Sequence, residues 1–200
     1  VHAKTANNEG LGRFQDWSVI GSAVDRMRIM TYDYHWRGGG PGPVAPVYWV
    51  RAVADYAKSV VDPAKVVIGV QFYGYDRPAG GGEARAYTWD DFRDIIATYG
   101  PEVNLVESDS SGRPVQENKI SYTTRAGRRI AYFATSRSLE VEVEFKGTLV
   151  VNFGLLFALE RAQVGSLVAQ GLSFLDWCSA HQQLAVVGRV ELELARQSVL

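Results

Sequence analysis

Short, wholly apolar runs alternate along the chain with longer segments of helical spacing. Arg28 to Tyr32 (RIMTY) and Val66 to Val70 (VVIGV) are short and rich in β-branched residues, the pattern of strands buried on both faces of a parallel sheet. Between them Val47, Val50, Ala54, Ala57 and Val61 recur at helical intervals, and Asp62-Pro63 stops the pattern, so a helix is expected over 47–61. Phe14 to Val24 (FQDWSVIGSAV) carries a weaker helical pattern ahead of the first strand. Strand, helix, strand in that order favours a right-handed βαβ unit and an α/β architecture, with a (β/α)8 barrel as the leading candidate.

After the second strand the rhythm changes. Pro78 to Arg85 (PAGGGEAR) is a flexible spacer. Thr88 is placed to cap a helix from Trp89 to about Tyr99, with Asp90 and Asp91 near its positive end. Val103 to Val106, Lys119 to Thr123 and Arg129 to Phe133 follow as strands, with RAGRR turning the last pair into a hairpin. A small α+β lobe over residues 80–135 is therefore expected between barrel units at 1–79 and 136–160. The latter would hold a helix from Ser136 and a buried strand at Gly154 to Leu159 (GLLFAL). Residues 161–200 carry no clear motif, repeat or low-complexity tract and form a divergent tail.

Composition narrows the partners. The 200 residues are 46% hydrophobic and 22% charged, the makeup of a soluble globular protein long enough for a sizeable core. A net charge of -1 offers nothing to steer nucleic acid or an anionic membrane. The single cysteine, Cys178, excludes an internal disulfide and a cysteine-based zinc site. No run approaches the roughly 18 apolar residues of a membrane span. The N-terminus has neither an initiator Met nor the basic-then-apolar order of a signal peptide, and reads as the middle of a longer chain.

In parallel α/β folds the loops leaving the C-terminal ends of the strands build the site. Tyr32 and Asp33 stand at one such end, followed by Tyr34, His35 and Trp36; Gln71, Tyr73, Tyr75 and Asp76 stand at the next. Aromatic faces beside carboxylates and amides suit sugars, whose rings offer C–H faces for stacking and hydroxyls for hydrogen bonds. Aromatics that cap a core with wet hydroxyls explain the same residues, and the pattern alone leaves the two accounts even. His2, His35 and His181 show no metal-ligand spacing, His35 being expected as a loop hydrogen-bonder. Glu107 to Pro114 (ESDSSGRP) reads as a turn rather than a calcium loop, and Glu117 as a solvated loop carboxylate rather than a catalytic acid. The glycine runs lack the lysine and the strand-to-helix context of phosphate loops.

MTYD at Met30 to Asp33, then HW, GPGPVAP and VVIGVQFYGYD, in this order and spacing, resemble glycoside hydrolase family 18, most closely its spore-cortex and peptidoglycan-directed N-acetylglucosaminidase branch. The resemblance runs from about Val1 to Phe133. It implies a partial chitinase-like (β/α)8 barrel of about strands 5 to 8 carrying a small α+β insertion, with VHAKT ending the fifth strand. The implied substrate is a polysaccharide containing β-1,4-linked N-acetylglucosamine, in peptidoglycan or chitin. Hydrolysis would be retaining and substrate-assisted. Tyr32 would bond the N-acetyl carbonyl and Asp33 would contact sugar and orient the acid. Met30 would shape the pocket floor, while Gln71, Tyr73, His35 and Trp36 would bind substrate. No cofactor is implied, and the location would be extracellular or associated with cell wall or spore.

Two departures stand out. The family's D-x-x-D-x-D-x-E acid motif occurs nowhere in these residues, which places it upstream of Val1 and makes a cut barrel with open edges the expectation. The family's eighth strand ends in a tryptophan where GLLFALERAQ offers Ala158, Leu159 and Glu160, so the likeness is expected to end between Ser138 and Glu160 by a frame change or divergence. A sugar-binding relative without hydrolysis and a nonfunctional remnant stay open beside the glycosidase.

Overall fold

The structure, a computed structural model, describes residues 1–7, 10–134, 148–152 and 156–159. Its first sheet is built on β1 (Met27–Ile29) and β2 (Val66–Gln71), which pair in parallel from Met27 opposite Val66 to Ile29 opposite Ile68. The helix α2 (Val47–Val60) connects them, as the spacing predicts. Met27, Ile29, Val66 and Ile68 bury one face of the sheet against Val50, Val53, Ala54 and Ala57 of α2. The first strand is shorter than expected: beyond Ile29 only Met30 continues, in an isolated parallel bridge to His2. The N-terminal segment thus lies beside β1, held also by the Met30 N–H donating to the Val1 carbonyl at 2.9 Å.

The expected helix at 14–24 starts later. A 3-10 turn occupies Leu11–Phe14 and α1 covers Trp17–Ala23, because the Asp16 carboxylate accepts from the Ser18 and Val19 N–H groups and caps the helix there. Trp17 is buried in the shared core with α2, its ring centroid 5.4 Å from that of Tyr56.

Two further strands extend the first sheet in the order β1-β2-β8-β9. The parallel neighbour of β2 is β8 (Thr148–Asn152), within the span expected as helix and strand, whereas β9 (Leu156–Leu159) returns antiparallel to it. The expected strand at Gly154 to Leu159 is therefore corrected to the second arm of a hairpin. Only residues 153–155 separate the two, which suffices for a hairpin and is far too short for the crossover that a parallel pair needs. The expected helix from Ser136 and the tail after Glu160, Trp177 included, lie outside the described residues.

The second sheet is antiparallel throughout, in the order β4-β3-β7-β6-β5. Its members are β3 (Tyr73–Pro78), β4 (Arg85–Thr88), β5 (Asn104–Ser108), β6 (Pro114–Thr124) and β7 (Gly127–Phe133). β3 follows β2 after the single residue Phe72, so the sheets are successive along the chain with almost no linker. The helix α3 (Trp89–Tyr99) begins at Thr88 in a reciprocal capping box with Asp91 and ends at Gly100 in the left-handed region, φ 58°. It buries Phe92 against Ile120, Tyr122, Ala131 and Phe133, with the Phe92 and Phe133 rings stacked at 4.4 Å. Among the described residues no helix is long and apolar enough to cross a membrane.

The first sheet depends on Gly69, where backbone approaches backbone. A Cβ there would stand 2.7 Å from the Ile29 carbonyl oxygen and 3.2 Å from Cε1 of Tyr32. Gly69→Ala is expected to push β1 from β2 and to lower stability by about 1–3 kcal/mol in urea unfolding; an unchanged midpoint would refute the close approach.

Candidate functional site

Past Met30 the chain leaves the sheet and turns sharply. Thr31 is fully buried and its hydroxyl donates to the Gly69 carbonyl, tying the end of β1 to β2. Asp33 lies at φ 64°, a left-handed conformation that a residue other than glycine adopts at a cost of about 1 kcal/mol or more. What holds it there comes from the next strand. The phenols of Tyr73 and Tyr75 both donate to Asp33 Oδ1, the second at 2.9 Å. Tyr32 meets Tyr73 edge to face at 6.1 Å, and Tyr73 meets Tyr75 the same way at 5.4 Å. Burial first, then the Asp33 bonds and charge, drive the Tyr73 hydroxyl far above its ordinary pKa and push Tyr75 up to about 12. Both therefore stay protonated donors, while Asp33 remains exposed.

The loop from Tyr34 to Pro46 rises beside this cluster. Its neck is closed by the Tyr34 N–H donating to the Val44 carbonyl at 2.8 Å. The Tyr34 ring packs against those of His35, Tyr48 and Trp49. His35 is half-buried against Gly42, and that burial depresses its pKa, with Arg77 adding to the effect and a bond to the Gly40 carbonyl opposing it. Trp36 is 59% exposed and rests on Gly38, where a Cβ would come within 2.4 Å of its ring. Arg77 of β3, itself buried, donates to the carbonyls of Gly39 and Trp36, the latter at 3.4 Å.

Glu117 corrects the expectation of a solvated loop carboxylate. It sits on β6, fully buried, with Oε2 accepting from the Val44 N–H at 2.9 Å and Oε1 from the Ala45 N–H at 2.6 Å. Burial pushes its carboxyl up to about 7 against the pull of the two N–H groups. Both oxygens face backbone donors, which does not suit a proton donor to substrate. The sequence concealed this residue because it stands between the polar Gln116 and Asn118, ahead of the strand expected from Lys119, whereas β6 begins at Pro114 and buries Val115 and Glu117 in alternation.

The structure brings Tyr32, Asp33 and Tyr73 together and adds Tyr75, with His35 and Trp36 on the adjoining loop. Met30 sits at the end of β1, half-buried. Gln71 is fully buried, and neither its side-chain oxygen nor its nitrogen has a hydrogen-bond partner. It lines a cavity of about 20 Å³ with Phe72, Tyr73, Trp89, Phe92 and Phe133. Asp76 does not join the cluster; its Oδ2 is paired with Nε of Arg129 at 2.6 Å across the β3–β7 ladder. Within Glu107 to Pro114 the chain turns from β5 into β6, with Asp109 accepting from the Ser111 and Arg113 N–H groups. Among the described residues no group of three His, Cys, Asp or Glu side chains is placed to hold a metal ion.

Glu117 predicts a pH dependence of stability. Because its folded pKa lies above the ordinary 4.5, the folded protein holds this proton more tightly than the unfolded chain. The resulting stabilisation is complete below about 4.5 and is lost as pH rises through about 7, a change of about 3 kcal/mol. His35, whose pKa is depressed, acts in the opposite sense, so the contrast with Glu117→Gln isolates the effect. Urea unfolding at about pH 5 and about pH 8.5 is expected to show Glu117→Gln losing less stability on the alkaline side than the parent. Equal losses would contradict a titrating Glu117.

Known proteins match the chain in sequence and in fold. The model of the family "Glycosyl hydrolases family 18" matches residues 2–160. The chain is 41% identical over 76 residues to the cortical fragment-lytic enzyme of Bacillus anthracis, covering 36% of this chain and 17% of that protein. It is 29% identical over 159 residues to the cortical fragment-lytic enzyme of Bacillus subtilis (strain 168), covering 71% of this chain and 34% of that one. Among solved structures, a chitinase from Chromobacterium violaceum ATCC 12472 superposes with a TM-score of 0.63 at 25% identity, over 94% of this chain and 55% of the chitinase. The chain thus spans about a third or less of these two curated relatives. With the family's sequence pattern running through both sheets and the Asp33 cluster, the chain belongs to glycosyl hydrolases family 18.

Proposed function

We propose that these residues form the sugar-binding side of a glycosidase acting on β-1,4-linked N-acetylglucosamine polymers, either chitin or peptidoglycan glycan, outside the cell or at the cell wall or spore. In this account the first sheet is part of a (β/α)8 barrel, about its fifth to eighth strands, and the second sheet with α3 is the insertion that walls the cleft. The observation that carries the proposal is Asp33, held in a strained conformation by two phenols while its residue stays exposed. Strain kept in place by its surroundings is characteristic of ligand-contacting positions. The names of the relatives, a cortical fragment-lytic enzyme and a chitinase, agree with this substrate class.

The chemistry that these residues would serve is substrate-assisted. The 2-acetamido oxygen attacks the anomeric carbon while a carboxylic acid protonates the departing glycosidic oxygen, and water then opens the cyclic intermediate with net retention. Tyr32 would donate to the acetamido group as charge develops there. Asp33 would contact sugar and orient the acid. Met30 would floor the pocket, Trp36 and His35 would line its edge, and Gln71 and Tyr73 would complete the sugar contacts. The unpartnered Gln71 amide supports this assignment, because a buried polar group without a bond costs about 1–3 kcal/mol and calls for a reason.

Sugar binding without cleavage would use the same residues, since Asp33, Tyr73 and Tyr75 serve recognition whether or not an acid acts beside them. Both accounts require the cleft to recognise N-acetyl groups. Calorimetric titration of the chain with chitotetraose is expected to show saturable binding, absent for the de-N-acetylated tetramer and weakened at least roughly tenfold by Asp33→Ala. Indifference to the acetyl group would sink the proposal. In a chain that also carries the acid, Tyr32→Phe is expected to lower kcat by roughly 10²–10³ with little change in Tm; unchanged turnover would remove Tyr32 from the reaction.

A further inference from the structure

We infer that Glu117 is a positioning residue for the cleft, a clamp through which the second sheet fixes the loop that follows Asp33 and carries Trp36. The inference rests on the sugar-cleft proposal above and adds a residue to it. Val44 and Ala45 form the far side of the loop's neck, and both of their N–H groups end on the Glu117 carboxylate. The near side of the same neck is Tyr34, whose N–H donates to the Val44 carbonyl, and Tyr34 directly follows Asp33. Two hydrogen bonds in series, Val44 to Glu117 and Tyr34 to Val44, with the Ala45 bond beside the first, therefore run from the core of one sheet to the residue that follows Asp33. At its head the loop is gripped by the buried Arg77 guanidinium on the Gly39 and Trp36 carbonyls. An anion on the loop's amides and a cation on its carbonyls together fix both neck and head.

The chemistry of the side chain fits this role better than a packing role. A carboxylate presents two acceptor oxygens to two neighbouring N–H groups, whereas a glutamine presents one oxygen and turns an NH₂ donor at the other N–H. The surroundings are apolar, with Val44, Tyr75 and Ala84 buried together next to the neck, so the ionised form is disfavoured there. Leucine or methionine would fill such a site at lower cost but would leave the Val44 and Ala45 N–H groups without an acceptor. The titratable or charged groups on the elements nearby are Tyr34, His35 and Arg37 in the loop, Tyr48, Arg51, Asp55, Tyr56 and Lys58 on α2, and Tyr73, Tyr75, Asp76 and Arg77 on β3. Glu107 on β5, Lys119 and Tyr122 on β6 itself, and Arg128, Arg129 and Tyr132 on β7 complete the set.

Two readouts on the full 200-residue chain test the clamp. Hydrogen exchange without sugar is expected to speed up at Tyr34, Val44 and Ala45 in Glu117→Gln, with Tm shifted by only a few degrees. Chitotetraose affinity at about pH 8 is expected to fall roughly five- to tenfold in that variant. The parent's affinity should also weaken as pH falls through about 7, an inflection that Glu117→Gln removes while leaving any contribution of His35 in place. If Glu117→Gln does not fold, this pH profile of the parent, followed alongside exchange at Val44 and Ala45, carries the test alone. Parent and variant binding equally, or a parent profile flat across that range, would overturn the clamp while leaving the cleft intact. A parent that binds no chitotetraose would instead overturn the cleft proposal, and with it any role of Glu117 toward sugar.

Discussion

The parallel pairing of β1 with β2 is the contact on which everything else depends. It is only three residue pairs long, and β2 runs on from Ile68, the partner of Ile29, to Gln71, yet the chains that leave the two strands meet. From one end comes Asp33, from the other Tyr73 and Tyr75, and their hydrogen bonds can form only because the two strands are side by side and in this register. A slip of one residue would exchange the faces and turn Met27, Ile29, Val66 and Ile68 away from α2. The buried core and the placement of the carboxylate are thus two results of one register. Gly69 and Thr31 secure it, the first by allowing close approach and the second by a hydrogen bond across the pair.

The antiparallel sheet is more than an attachment to this pair. With Phe72 as the only residue between β2 and β3, the chain that supplies the tyrosines continues without a hinge into the lobe that supplies Arg77 and Glu117. Buried charges are expensive, and a lobe that only had to fold would be more stable with apolar residues at both positions. Both charges are directed at the backbone of a loop rich in glycine and proline, which has little regular structure of its own to hold it. Stability is given up where the loop is shaped.

Much of this was legible in the sequence because local chemistry and tertiary structure agree. Thr88 with Asp91 defines the start of α3 by itself, and the spacing of Val47, Val50, Ala54 and Ala57 defines α2 and its buried face. The aromatic and carboxylate residues at 32, 33 and 73 stood out as candidates by their chemistry at strand ends, and the structure brings them together. What escaped notice depended on partners distant in sequence or on broken periodicity. Tyr73–Pro78 contains glycine, charge and proline and is a strand only because β4 and β7 flank it. Thr148–Asn152 is apolar enough for helix or strand, and its place beside β2 decides. Glu117 is polar between polar neighbours, and its burial is decided by partners at Val44 and Ala45, 73 and 72 positions away.

The grip of Glu117 on Val44 and Ala45 also bears on the order in which the molecule can be assembled. These bonds join residues 73 and 72 positions apart, with α2, β2, β3, β4, α3 and β5 lying between them in sequence. Closing such a distance is slow compared with forming α2 or the β6–β7 hairpin, which are local. During synthesis the loop emerges early and must wait, unsecured, until β6 has been made and has found its place. The loop is then among the later parts to become ordered, and a chain that has secured it has already brought β6 to its place.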